Sequence, residues 1–224
     1  MQKLIKSTKT RIHKFVLHNL NLFLLISIMG LTFSPVFSKW IAEKFAQQIF
    51  FTIMFLTSVV AVKTEHNRLL YVAIFISALS WVNFLFNNNL SHKLSINYLA
   101  FIIYFAYILA RLIIQLIRVK EVNANVIMEA INVYLLIGIL GAIVLYMTNA
   151  YIPGSIEAIP AKNGIHEYIY FSFVTLTTLG YGDISPSLPL AKSIVIFLAI
   201  FGQFYIAIIM AFLVSKFLNK KNKQ

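Results

Sequence analysis

Six stretches of this sequence are apolar over about the length a helix needs to cross a bilayer, which limits the chain to a multi-span helical architecture. A helix rises 1.5 Å per residue, so roughly 20 residues traverse the ~30 Å of hydrocarbon. Residues 15–33, 41–62, 69–86, 96–117, 130–151 and 190–218 approach or exceed that length. A seventh apolar stretch, 165–177, is too short to cross, with Asn163 and Gly164 before it and Gly180 and Gly182 after it. It reads as a re-entrant half-helix, tolerated at membrane depth only where protein or water surrounds it. Composition agrees: 60% of residues are hydrophobic and 12% charged, against about a quarter charged in soluble chains, which excludes a water-soluble globule. The expected fold class is an all-α membrane protein of six transmembrane helices, a re-entrant half-helix and a loop after it.

Orientation follows from the basic residues. With the N-terminus inside, fourteen of the 19 Lys and Arg fall on the inner side, and only Lys39, Lys44, Lys93, Lys162 and Lys192 fall outside. The expectation is a multi-pass protein of the cell (plasma or inner) membrane with both termini cytoplasmic. The first apolar stretch exceeds the 7–15 residues of a signal-peptide core, so it is read as a helix. The domains expected are a basic cytoplasmic N-terminus (1–14), a four-helix peripheral bundle (15–118) and a polar cytoplasmic linker (119–128). A helix, half-helix, helix unit (129–218) and a short tail (219–224) follow, and no soluble sensing domain is expected after the last helix.

The chain has no Cys, so a disulfide framework, a thiolate nucleophile and Cys-based metal sites are excluded. Its seven acids, Glu43, Glu65, Glu121, Glu129, Glu157, Glu167 and Asp183, form no constellation with His or Ser inside the spans, so no enzyme and no cofactor is expected. The net charge of +12 sits in short clusters between apolar runs and signals membrane orientation, not nucleic acid. Lys3, Lys6, Lys9, Arg11 and Lys14 could also hold anionic lipid headgroups. His166 and Glu167 read as a solvated rim beside the half-helix.

The stretch YFSFVTLTTLGYGDISP, residues 170–186, carries the chemistry. Gly180 and Gly182 permit positive φ, which lets successive carbonyls point to one side. Stacked carbonyl oxygens suit a hard cation by replacing its water, and the half-helix would turn a partially negative C-terminus toward it. One chain supplies one wall of such a site, so several copies must surround one axis, as closed cyclic symmetry allows.

TTLGYGD, followed by Pro186 and a long apolar helix, resembles the selectivity filter of tetrameric potassium channels, whose usual form is TVGYGD. The resemblance extends over about residues 129–218, roughly 40% of the chain. It implies that the carbonyls of Thr178, Leu179, Gly180 and Tyr181, with the Thr178 hydroxyl, line successive K⁺ sites. Gly182 would complete the turn, Thr177 would support the filter from the helix end, and Asp183 would sit at the outer mouth. It also implies three identical partner subunits. Leu179 replaces the usual Val, and its carbonyl remains available as a ligand. Tyr170 stands where many members have Trp, its hydroxyl able to donate to Asp183. Val174 stands where some members have a buried Glu, so that second carboxylate is absent.

Gly202, nineteen residues after Asp183, occupies the place of a hinge glycine in the family. Close packing against the half-helix is the competing reading, and Gly138 and Gly141 read as helix-packing positions. Arg111 and Arg118 are seven apart and do not form the three-residue repeat of a voltage sensor, so little or no voltage dependence is expected. The function expected is a passive K⁺-selective channel. The alternatives are a weakly selective cation channel of the same fold, a channel-derived subunit of a K⁺ uptake system, and an electrically silent interaction protein.

Overall fold

The computed structural model describes residues 21–39, 43–62, 66–86, 95–119, 122–159 and 164–221. The elements are α1 (Asn21–Thr32), a 3-10 turn (Ser34–Lys39), α2 (Glu43–Ala61), α3 (His66–Phe86), α4 (Ser95–Ile117) and α5 (Ala124–Tyr151). Then come β1 (Ile156–Glu157), α6 (Ile165–Leu176), β2 (Ser185–Pro186) and α7 (Pro189–Lys221). The fold is mostly helical, and the chain divides into two compact units between Ala78 and Leu79, within α3.

In the first unit, Leu24, Ile28 and Leu31 recur at helical spacing on α1 and are buried, as are Met54, Phe55 and Val59 of α2. A Cβ at Gly30 would overlap the Phe50 ring, so this ring rests on bare α1 backbone. The hydroxyls on these apolar helices find acceptors one turn back, Ser27 on the Leu24 carbonyl and Ser58 on that of Phe55. Local back-bonding lets them sit in apolar surroundings without an orphan donor.

The second unit is organised around α5, which packs against α4, α6 and α7. Asn123 starts it: its extended backbone places Oδ1 3.1 Å from the Val126 amide, an N-cap bond. α5 therefore begins inside the segment expected to be a linker, and Ala124–Met128 are helical. Small residues bring α6 against it. A Cβ at Gly138 would meet the Phe173 ring at 2.5 Å, and one at Gly141 would meet Ser172 Oγ at 2.6 Å and Leu198 at 2.9 Å. The same closeness lets the fully buried Ser172 hydroxyl donate to the Gly138 carbonyl at 2.6 Å. Gln115 of α4 donates through Nε2 to the buried Glu129 of α5. Tyr205 of α7 donates to the Ala130 carbonyl at 2.7 Å and stacks on Tyr134 at 5.8 Å between ring centroids.

Among the described residues, three helices are long and apolar enough to cross a membrane: Leu99–Ile117, Ala124–Tyr151 and Pro189–Lys216. They coincide with the fourth, fifth and sixth expected spans. The apolar helices at the first three places are shorter among the described residues, namely Asn21–Thr32, Phe45–Ala61 and Arg68–Val82. α6 matches the expected half-helix to within one residue, and α7 runs on to Lys221. The basic residues Lys3, Lys6, Lys9, Arg11 and Lys14 and the last three residues of the tail lie outside the described residues. The apolar window of α5 is 67% buried and that of α7 only 22%, so α7 presents Ile196, Phe197, Ile200, Phe204 and Ile208 to lipid or to further protein.

Replacing Gly141 by Leu forces a side chain into the Ser172 and Leu198 contact and is expected to cost about 1–3 kcal/mol. Thermal unfolding in detergent should show a clear drop for this variant and little change for Ile131→Val at an exposed position of the same helix.

Candidate functional site

α6 begins after Gly164 with Glu167 in its first turn, where a negative charge complements the helix dipole. Its other end closes with a specific hydrogen-bond pattern. The Leu179 amide donates to the Val174 carbonyl at 2.9 Å and the Thr178 amide donates to the Thr175 carbonyl at 2.9 Å. This pair is the Schellman cap, and it requires the residue after the cap to be left-handed. Thr178 takes that place with φ +59. Glycine usually stands there, and a β-branched residue is strained by about 1–3 kcal/mol.

Positive φ recurs at every second residue beyond the cap. Gly180 has φ +57 and Gly182 φ +80, whereas Leu179 and Tyr181 are not among the residues with positive φ. Positive φ thus recurs at every second residue from 178 to 182, an alternation that can turn consecutive peptide groups toward a common side. The Leu179 and Tyr181 side chains are exposed at 55% and 68%.

Three sets of contacts hold this loop. At its far end the Tyr170 hydroxyl donates to Asp183 Oδ2 at 2.6 Å. That hydrogen bond holds the Asp183 carboxyl below its ordinary 3.8 and, from the other side, pushes the Tyr170 phenol up to about 12. At its near end the Leu176 carbonyl accepts from Tyr134 of α5 at 3.3 Å, and α7 passes so close that a Cβ on Gly202 would lie 2.5 Å from the same oxygen. Gln203 Nε2 lies 3.4 Å from Thr178 Oγ1, while that hydroxyl donates to the Thr177 carbonyl at 2.7 Å. The Thr177 hydroxyl donates to the Phe173 carbonyl at 2.7 Å.

The third set stitches the segments that flank the loop. Asn149 donates through Nδ2 to the Tyr168 hydroxyl at 2.8 Å, and its Oδ1 accepts from Ser155 Oγ at 3.2 Å and from the Ile156 amide at 3.3 Å. The Ser187 amide donates to the Ser155 carbonyl at 2.9 Å, and β1 pairs with β2 antiparallel, Ile156 opposite Pro186. The chain leaving α5 is therefore bound to the chain leaving the glycine loop.

The structure brings Tyr170 to Asp183 and gathers Thr177, Thr178, Leu179, Gly180, Tyr181 and Gly182 in one continuous loop. Gly202 lies against the end of α6, where the close approach itself requires a glycine. His166 and Glu167 lie at the opposite end of α6. Sequence reasoning missed Gln203, Tyr134 and Asn149. Gln203 did carry a signal, as the one amide in the apolar run 194–214, whereas Tyr134 and Asn149 look like ordinary helix residues.

Residues 133–219 match a family model described as ion channel. The match spans most of α5, the glycine loop and nearly all of α7, and it supports an ion channel and a membrane protein. No curated protein and no solved structure matches the chain.

The pH response of the Tyr170 and Asp183 pair has a definite sign. The carboxyl pKa is lowered in the folded chain, so its contribution is present above about pH 4 and is lost as pH falls through the lowered value. The phenol pKa is raised, so its contribution is present below pH 10 and is lost as pH rises through about 12. Tyr170→Phe is expected to return the Asp183 carboxyl toward 3.8, read by ¹³C NMR titration. An unchanged titration would show that the hydrogen bond does not set this pKa.

Proposed function

We propose that this chain is a passive, potassium-selective ion channel that works as a homotetramer, with residues 178–182 of four copies lining one conduction axis. The positive φ at every second one of those residues carries the reading. Such a backbone turns carbonyls to a common side, and four walls of carbonyls can replace the hydration shell of a dehydrated cation. Thr178, Leu179, Gly180 and Tyr181 supply the K⁺ ligands, and Gly182 turns the chain toward Asp183. The exposed apolar face of α7 supports the tetramer, since a helix lining a four-fold axis meets its copies instead of its own chain.

In this reading α5, α6 and α7 form the pore, α6 is re-entrant, and six spans cross the cell membrane with both termini cytoplasmic. The first four helices are peripheral. The basic N-terminus meets anionic headgroups, and the absence of an arginine repeat leaves the channel with little or no voltage dependence. A weakly selective cation channel on the same fold is the second reading. The Thr178 hydroxyl favours it, because the Gln203 amide donates to it and so occupies one of the two electron pairs it could present to an ion.

Purified protein in a planar bilayer, under a K⁺ gradient opposed by Na⁺, decides between them. A reversal potential at the K⁺ equilibrium value, lost in Gly180→Ala because alanine is strained at φ +57, is the expected result. A reversal near zero selects the weakly selective reading, and flux requiring nucleotide or a second subunit overturns the passive mechanism.

A further inference from the structure

Thr178 is the residue at which helix α6 becomes the glycine loop, and its side chain makes two contacts. Its single proton goes to the Thr177 carbonyl at 2.7 Å, so the Gln203 amide 3.4 Å away meets it as a donor meets an acceptor. A hydroxyl oxygen has one proton and two lone pairs. With Cβ, the proton and one lone pair all directed, the remaining lone pair is confined to a single tetrahedral direction.

The fold brings Gln203 there by a specific route. Its neighbour Gly202 has no side chain, and a Cβ at that position would lie 2.5 Å from the Leu176 carbonyl. Bare backbone therefore lets α7 approach the last residue of α6, and the next side chain along the helix reaches Thr178. Gln203 is also the one amide in the otherwise apolar run 194–214, where a Leu or Ile would suit lipid or a neighbouring copy better. Thr178 is a β-branched residue at a left-handed position that glycine would occupy without strain, so its hydroxyl is the feature that glycine could not supply.

We propose that Gln203 is a positioning residue for the innermost cation site, donating to the Thr178 hydroxyl so that its free lone pair is held ready for a permeant cation. The inference rests on the channel reading above and extends it to a side chain outside the filter sequence. Gln203 acts through Thr178 and need not touch the ion. Its contribution is the orientation of one ligand in each of four copies.

Two measurements test it, and the first needs no ion flux. A ligand at free concentration c that binds only the folded state stabilises it by RT ln(1 + c/Kd), so the melting temperature rises with ligand concentration above Kd. The K⁺ or Ba²⁺ concentration that protects the purified full-length protein in detergent is therefore titrated for wild type and Gln203→Met, which keeps the length and removes the donor. Loss of this hydrogen bond in each of four copies predicts that the variant needs at least about fivefold more cation. The second measurement is K⁺ flux in proteoliposomes blocked by Ba²⁺ from the side of the chain termini, with the same fivefold shift expected.

Backgrounds at position 178 separate positioning from packing. Gln203→Met should retain its full effect in Thr178→Ser, which keeps the hydroxyl, and have no further effect in Thr178→Val, which removes it. An equal effect in both backgrounds, no shift in either assay, or tighter binding in Gln203→Met would overturn the positioning role. Wild-type protein that neither gains stability from K⁺ nor prefers it over Na⁺ would overturn the channel reading, and this proposal with it. Wild-type preference with an indifferent Gln203→Met overturns this proposal alone.

Discussion

A helix that stops after twelve residues leaves its last carbonyls without the amides that a longer helix would supply. In α6 each of them is answered, and the answers come from three different places. The loop turns back to serve Val174 and Thr175, Tyr134 reaches across from α5 to Leu176, and the Thr178 side chain serves Thr177. The left-handed backbone at Thr178 is the geometric consequence of the first answer, and the alternation through Gly180 and Gly182 continues from it. The conformation of the loop thus begins as a problem of helix termination.

That solution needs neighbours at close range, which explains the placement of the glycines. Gly138 and Gly141 admit Phe173, Ser172 and Leu198 to the surface of α5, and Gly202 admits the end of α6 to the surface of α7. In apolar surroundings, close backbone approach and a few interhelical hydrogen bonds replace the hydrophobic effect as the source of cohesion. The bonds from Ser172 to Gly138, Tyr205 to Ala130 and Gln115 to Glu129 are of this kind. Gly202 serves the packing directly, and a hinge role would have to operate through a position already in tight contact.

The far end of the loop is held differently. Tyr170 and Asp183 are exposed and joined by one hydrogen bond, while Asn149 and the β1–β2 pair bind the segments on either side. The near end is fixed by packing and the far end by polar contacts open to solvent, so the two respond to different conditions. Acid acts on the carboxylate end, and changes in the approach of α7 act on the Thr178 end.

Much of this was legible in the sequence. The apolar lengths, the short helix before two glycines and the spacing from Tyr170 to Asp183 are local properties, set by hydrophobicity over a window and by the special conformations of glycine. The start of α5 was misplaced because Asn123 reads as a polar linker residue until its side chain is seen capping the helix. The left-handed Thr178 and its meeting with Gln203 were not legible. They depend on a hydrogen-bond pattern six residues long and on an approach between α6 and α7 that Gly202 permits but does not by itself announce. Sequence alone determined which segments are helical, because helix formation and membrane burial respond to neighbours along the chain. Only the tertiary structure decided which side chains complete the loop, because Gln203 and Thr178 are separated by 25 residues and meet only when two helices pack.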